Sequence, residues 1–190
     1  MIEENSGMIL PFALLTLHRP SNVDEKQILS KIVEALVDIS HRIPIVFPVH
    51  PRTRKQLKAF GLEHYFKNSL ISGSKQPGQG IYLIEPVGYL DFLNLEMNAS
   101  FVLTDSGGIQ EEITVLDIPC LTLRNTTERP ITITGGTNIL VWNHTQKIIE
   151  EAFKILDGKS KRGNCPQLWD GKTAERIIGL LADKTVRTSI

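Results

Sequence analysis

The 190-residue chain contains only two cysteines, Cys120 in an apolar run and Cys165 in a polar stretch. This low number argues against a disulfide framework or a zinc site and favours two reduced thiols in a cytoplasmic protein. No apolar run reaches the roughly 20 residues that a membrane span requires. The first residues, MIEENSGMIL, lack the basic-then-apolar pattern of a signal peptide. We therefore expect a cytoplasmic location and no membrane partner.

The sequence also has no excess of either charge, because 21 basic residues balance 21 acidic ones. A nucleic acid or an acidic membrane usually requires a clear basic excess in its partner, so neither is expected here. The hydrophobic fraction of 41% is sufficient for a packed core and excludes a wholly disordered chain. The length suits one domain, or one domain with an appendage.

Short apolar runs alternate with helical patterns along most of the chain. Six runs are predicted as buried strands because they are short and continuously apolar: PFALLTL, IPIVFPV, IYLIEPV, FVLTD, IPCLTL and NILVW. The helix EKQILSKIVEALVDIS, capped by Asp24, follows the first strand, and a last helix covers about residues 172–184. Residues 67–80 are predicted as a surface loop. This alternation predicts an α/β domain with a doubly wound, Rossmann-like parallel sheet and helices on both faces.

Five polar loops follow the predicted strands, and such sheets bind ligands at the carboxyl ends of their strands. The loops are HRPSN, HPRT, EPVGYLDF, DSGG and RNTTERP. Three of them carry basic side chains that suit a diphosphate: His18, Arg19, His50, Arg52, Arg124 and Arg129. Each of these taken alone also fits a solvated surface charge, and it is their shared position that favours a ligand site.

The junction DSGG joins a strand to a helix. The first amides of a helix have no internal partner and attract anions. Gly107 and Gly108 lack the Cβ atoms that would keep a phosphate away from the backbone, and Ser106 adds a hydroxyl. The alternative is that Ser106 is only a helix cap and the glycines only shape a tight turn.

Two adjacent carboxylates, Glu111 and Glu112, follow this junction. Successive helical residues point about 100° apart, so only one of them can face a given ligand. One can turn to solvent, and the other could accept two hydrogen bonds from a vicinal diol such as a ribose. An anion site beside a diol acceptor indicates a nucleotide. The alternative is a pair of exposed first-turn acids.

These motifs together resemble the C-terminal half of the UDP-N-acetylglucosamine 2-epimerases. The resemblance is carried, in order, by TLHRPSN, FPVHPRT, EPVGYLDF, LTDSGGIQEE, RNTTERP and GGTN. That family is similar to the two-domain GT-B glycosyltransferases, which bind a nucleotide sugar between two Rossmann-like domains. The resemblance implies a cytoplasmic enzyme of cell-surface polysaccharide biosynthesis that is a homodimer at full length. Non-hydrolysing members interconvert UDP-GlcNAc and UDP-ManNAc without NAD or a metal, by eliminating UDP and adding it back.

The resemblance also implies roles for particular residues. Ser106 with the amides of Gly107 and Gly108 would hold the diphosphate, and Glu112 would bind the ribose hydroxyls. His18 would be the catalytic residue beside the phosphates and the departing sugar. The other implied substrate-binding residues are Phe92, whose backbone would meet the uracil, and Arg19, His50 and Arg129.

The chain departs from the family pattern at three positions. It has Ser21 in HRPSN where HRREN is frequent, Ile131 after the TERP motif in place of an acid, and Trp142 where glycine is common. In the family an N-terminal domain carries the acidic residues for the C2 proton, and residues 1–190 correspond to the second domain alone. We therefore expect a UDP-binding half that is inactive alone. Alternatives are half of a hydrolysing 2-epimerase, half of a GT-B glycosyltransferase, or a non-catalytic nucleotide-binding module.

Overall fold

The computed structural model describes residues 11–67 and 78–187, so most of the loop predicted over residues 67–80 lies outside the described ranges. Within these ranges seven parallel strands form one sheet in the order β3-β4-β2-β1-β5-β6-β7. The strands are β1 Ala13–Thr16, β2 Ile45–Pro48, β3 Phe66–Lys67, β4 Ile81–Ile84, β5 Phe101–Thr104, β6 Cys120–Thr122 and β7 Asn138–Leu140. All six predicted strands are present. The seventh, β3, is an edge strand of two residues, too short to give an apolar pattern.

Helices cover both faces of the sheet. They are α1 Pro20–Val23, α2 Lys26–Ser40, α3 Pro51–Ala59, α4 Tyr89–Asn98, α5 Gly107–Leu116, α6 Pro130–Thr134, α7 Thr145–Leu156 and α8 Thr173–Arg187. Side chains alternate along each strand, so Ala13 and Leu15 pack in the layer that contains α2 and α7. Leu14 lies in the opposite layer with Ile113 of α5 and Leu95 of α4. The predicted doubly wound, Rossmann-like fold is confirmed.

Two local predictions were wrong at the start of the chain. Asp24 does not cap α2, because the cap position belongs to Glu25, which makes no side-chain capping bond. The Asp24 carboxylate instead accepts hydrogen bonds from Arg52 and Gln56 of α3, which draw it away from the amides of α2. The segment HRPSN is not wholly a loop, because Pro20 begins α1, and the fixed φ of proline suits a first helical residue.

Trp142, which stands where glycine is common in the family pattern, has a backbone conformation that favours glycine. Its φ of 51° lies in the left-handed region, which glycine adopts freely and other residues adopt at a cost of about 1–2 kcal/mol. The indole packs edge-on against the His144 ring, with centroids 5.3 Å apart. A glycine at this position would therefore fit the backbone better than the tryptophan that occupies it.

The order of the strands defines where a ligand crevice lies. β1 pairs with β2 on one side and with β5 on the other, so the direction of winding reverses between β1 and β5. Ligands of open α/β sheets bind outside the carboxyl ends of strands at such a reversal. His18 follows β1 there and Asp105 follows β5. Among the helices in the described ranges, none has the length and apolar character needed to cross a bilayer.

Candidate functional site

Asp105 is the buried centre of this crevice. It exposes none of its surface. Its carboxylate accepts hydrogen bonds from the backbone N–H of His18 at 3.1 Å and of Arg19 at 2.8 Å. The side-chain amide of Asn22 donates to the same carboxylate at 3.1 Å and to the Leu123 carbonyl at 2.8 Å. Asp105 and Asn22 thereby fix the loop after β1 against the ends of β5 and β6.

The same carboxylate orients the imidazole of His18. Nδ1 of His18 lies 3.0 Å from Oδ1 of Asp105, and the side chain is 37% exposed. When Nδ1–H donates to the carboxylate, Nε2 is the ring nitrogen left for a ligand. The His50 ring lies 5.9 Å from that of His18, and its Nδ1 accepts a hydrogen bond from the Arg52 N–H at the start of α3.

A cavity of about 650 Å³ opens beside these two imidazoles. Its lining combines His18 and His50 with apolar side chains that include Phe92 of α4 and Ile109 of α5. The N–H of Phe92 donates to the Gly88 carbonyl at 2.9 Å, so this N–H is already bound within the first turn of α4. Imidazoles beside an apolar wall suit a ligand with both polar and flat apolar parts.

The N-terminus of α5 adjoins the cavity through Ile109. Ser106 holds the N-cap position, but its hydroxyl makes no capping bond. Neither Gly107 nor Gly108 has a positive φ, so the turn does not require glycine. A Cβ atom added at Gly108 would meet nothing within 4 Å, and one at Gly107 would meet only an oxygen of Glu128, at 4.0 Å. The Cβ positions of both glycines are therefore open, so no protein atom crowds the start of α5 on that side.

Three of the four predicted arginines are paired with carboxylates. The pairs are Arg52 with Asp24, Arg124 with Glu128 and Arg129 with Glu111. Two 2.7 Å hydrogen bonds join the guanidinium of Arg124 to Glu128. These bonds lower the pKa of the Glu128 carboxyl to about 2. This carboxylate therefore stays ionised close to the α5 N-terminus.

Arg19 differs from these arginines. Its Nε is buried and has no hydrogen-bond partner among the described residues. Its backbone N–H is bound to Asp105, which holds the residue beside the crevice. A buried guanidinium N–H without an acceptor is unfavourable, so a bound anion would satisfy it.

Glu111 and Glu112 face different neighbours, as their spacing on the helix predicts. Glu111 does not simply turn to solvent, because its Oε1 lies 2.7 Å from Nε of Arg129. Glu112 is half-buried and approaches Glu96 of α4. Glu112 is also one turn beyond Gly108, so both lie on one face of α5. Glu112 and Arg129 do not line the cavity.

Sequence reasoning missed Asp105, Asn22 and Glu96. Asp105 was visible as the polar end of the run FVLTD, and Asn22 as an amide in HRPSN. Their bond joins residues 83 positions apart, which no local pattern indicates. Glu96 lies within the helix YLDFLNLEMNAS and gives no signal that it is buried.

Known proteins resemble this chain over most of its length. A family model described as UDP-N-acetylglucosamine 2-epimerase matches residues 4–182. A UDP-N-acetylglucosamine 2-epimerase of Methanocaldococcus jannaschii is 45% identical over 172 residues, which make up 90% of this chain and 44% of that protein. A UDP-2,3-diacetamido-2,3-dideoxy-D-glucuronate 2-epimerase of Pseudomonas aeruginosa is 37% identical over 172 residues, again 90% of this chain and 44% of that protein.

Solved structures agree with these relatives. The crystal structure of the M. jannaschii UDP-GlcNAc 2-epimerase in complex with UDP-GlcNAc and UDP matches with a TM-score of 0.73 at 46% identity, over 90% of this chain and 45% of that one. The Neisseria meningitidis UDP-GlcNAc 2-epimerase bound to UDP-GlcNAc matches with a TM-score of 0.69 at 30% identity, over 91% and 45%. The fold is thus one half of a GT-B-type architecture. Because the family model spans nearly the whole sequence, this chain belongs to the UDP-N-acetylglucosamine 2-epimerase family.

Proposed function

We propose that this chain is the UDP-binding half of a non-hydrolysing UDP-N-acetylglucosamine 2-epimerase and is inactive alone. Its ligands would be UDP and UDP-N-acetylhexosamines. The observation that carries the proposal is the structure at the start of α5. The Ser106 hydroxyl makes no capping bond there, and the Cβ positions of the two glycines that follow are open. Backbone amides at such a position form an anion site, which the helix dipole strengthens.

The surroundings of α5 suit a diphosphate. Arg19 offers a buried guanidinium N–H without an acceptor, and His18 offers Nε2 while Asp105 holds Nδ1. When the bond between the sugar and UDP breaks, negative charge develops on the diphosphate. Donors that are already in place stabilise such charge without reorganisation. We therefore assign His18, Arg19 and residues 106–108 to stabilisation of the leaving UDP.

Glu112 is the proposed acceptor for the ribose. It lies one helical turn beyond Gly108, which corresponds to about 6 Å along the axis. A nucleoside diphosphate that lies along this face of α5 would place its sugar near the Glu112 carboxylate. Glu111 is less suitable, because its carboxylate is already paired with Arg129.

The proposed inactivity of the chain follows from what the epimerisation requires. Removal of a weakly acidic C2 proton needs a positioned base. Among the described residues, those that line the cavity include two imidazoles and no carboxylate. We therefore assign the acidic residues that handle this proton to the portion of the relatives that this chain does not span.

The M. jannaschii and P. aeruginosa relatives act on UDP-sugars that share the UDP portion and differ in the sugar. A hydrolysing enzyme would use the same nucleotide site and release a free sugar. Product analysis with a complete protein separates the two reactions, because UDP-ManNAc indicates epimerisation and free ManNAc indicates hydrolysis.

Gly108→Val tests the anion site directly. A valine at this position would add bulk beside the first amides of α5, and its Cβ atom would meet no protein atom within 4 Å. We expect UDP affinity to fall by at least about tenfold, while the melting temperature stays the same or rises, because valine is more favourable than glycine in a helix.

The matched control is Gly179→Val in α8, where an added Cβ atom also meets nothing within 4 Å. It should leave UDP affinity unchanged when both variants are titrated by calorimetry. Unchanged UDP affinity in Gly108→Val would show that the diphosphate does not bind at the start of α5.

A further inference from the structure

Glu96 is a buried acid that the proposed function does not use. It lies on α4 and exposes none of its surface. Neither of its side-chain oxygens accepts a hydrogen bond from a donor among the described residues. A polar group buried in this way is destabilising unless it finds a partner, so its presence requires an explanation.

Among the described residues, two titratable side chains face Glu96, and neither is a cation. Glu112 approaches it from α5 and Cys120 from β6. Burial, followed by the nearby charge of Glu112, raises the pKa of Glu96 to about 8. Burial also raises the pKa of the Cys120 thiol to about 12. At neutral pH Glu96 therefore keeps its proton in the folded protein.

We propose that Glu96 is a positioning residue for nucleotide binding, whose carboxylic acid donates a hydrogen bond to the Glu112 carboxylate and fixes its orientation. This inference rests on the proposed role of Glu112 as the ribose acceptor. A carboxylate has about four acceptor positions, so one bond from Glu96 leaves enough for two ribose hydroxyls. Hydrogen bonds between an acid and a carboxylate are short and strong, which suits an orienting contact.

Loss of the Glu96 proton would change this arrangement. The donor would be replaced by a second negative charge in a buried position, and two adjacent carboxylates repel each other. Glu112 would then be displaced from the orientation that binds the nucleotide. UDP affinity should consequently fall as the pH rises through about 8, the pKa of Glu96.

Calorimetric titration of UDP into the full chain between about pH 7 and pH 8.5 tests the inference. This range lies above the last phosphate ionisation and the ordinary pKa of histidine, and below the ionisation of the uracil N3–H. For the unaltered protein we expect affinity to fall by about threefold across the range, because most of Glu96 has lost its proton at the upper limit. Glu96→Gln keeps a donor at every pH, so it should retain the affinity measured at pH 7 and lose the pH dependence.

Two further variants separate positioning from packing. Glu96→Met keeps the side-chain volume without a donor, and it should bind UDP more weakly than Glu96→Gln at every pH in the range. Glu34→Gln on α2, an exposed position, should behave like the unaltered protein. A Glu96→Gln protein whose affinity still falls with pH would overturn the inference, as would a Glu96→Met protein that binds like Glu96→Gln.

Failure of the inference can be distinguished from failure of the proposed function. If Glu112→Gln leaves UDP affinity unchanged, the ribose role of Glu112 fails. If Glu112→Gln weakens binding while Glu96→Gln retains the pH dependence, only the inference fails.

Carbon-13 NMR of the glutamate carboxyls gives a readout without nucleotide. Glu96 should titrate above pH 7, and its titration midpoint should move to lower pH in Glu112→Gln. An ordinary titration of Glu96 in both proteins would overturn the inference.

Discussion

At the scale of single residues, the polar edge of the sheet depends on Asp105. Its buried carboxylate accepts two backbone N–H bonds and the Asn22 amide, and it orients the ring of His18. Hydrogen bonds to a charged acceptor each contribute about 1.5–3 kcal/mol. Asp105 is therefore a residue that shapes the site without lining the cavity itself.

Glu111 and Glu112 give a prediction at the same scale. Glu112→Gln should weaken UDP binding by about 1.5–3 kcal/mol, because it removes a charged acceptor of hydrogen bonds. Glu111→Gln is the matched control, since its carboxylate is paired with Arg129. Calorimetry with both variants checks the assignment. A loss of affinity in Glu111→Gln alone would show that the other member of the pair binds the ribose.

The types of site residue could be predicted from the sequence, but their partners could not. The position of Ser106, Gly107 and Gly108 follows from a strand that ends where a helix begins. The ion pair of Arg52 with Asp24 joins residues 28 positions apart, and it reverses the predicted role of Asp24 as a cap. Such pairing depends on which elements are neighbours in space, and a local pattern does not contain that information.

At the scale of elements, length determined which helices and strands could be predicted. α1 and α6 each begin at a proline within a segment predicted as a loop, and both are too short to show helical periodicity. The two-residue strand β3 was missed for the same reason. The long helices α2 and α7 were predicted because their apolar residues recur on one buried face.

The contact between α4 and α5 leads to a prediction about stability. The pKa of Glu96 rises from an ordinary 4.5 to about 8 in the folded protein. Below pH 4.5 Glu96 is protonated in both the folded and the unfolded protein, so its protonation does not affect stability there. Between these two values the unfolded chain releases the proton and the folded chain keeps it, so stability is lost as the pH rises.

Glu96→Met should therefore stabilise the fold in a pH-dependent way. We expect the change in the free energy of unfolding in urea to be about 2–3 kcal/mol more favourable at pH 7 than at pH 5, since each pKa unit corresponds to 1.36 kcal/mol. The exposed substitution Glu34→Gln should change the free energy of unfolding by no more than about 0.5 kcal/mol at either pH. An equal gain at both pH values would show that proton binding by Glu96 does not cause the effect.

At the scale of the whole molecule, the alternation of apolar runs and helical patterns was sufficient to predict the fold class. The alternation of strands and helices does not give the order of the strands. That order places the reversal of the winding direction between β1 and β5. That reversal brings His18 to Asp105, and Asp105 leads directly into the start of α5. The candidate site is thus a consequence of strand order, which depends on contacts between distant parts of the chain.

The chain spans 44% of the length of the M. jannaschii relative, so the UDP affinity of this portion can be measured by itself. Calorimetric titration of UDP into the purified chain, with uridine and AMP as controls, tests the central claim most directly. We expect saturable binding of UDP and binding of uridine at least about tenfold weaker, because uridine lacks the diphosphate that the α5 amides would hold. Absence of UDP binding, or equal affinity for uridine, would contradict the claim that this half carries a diphosphate site.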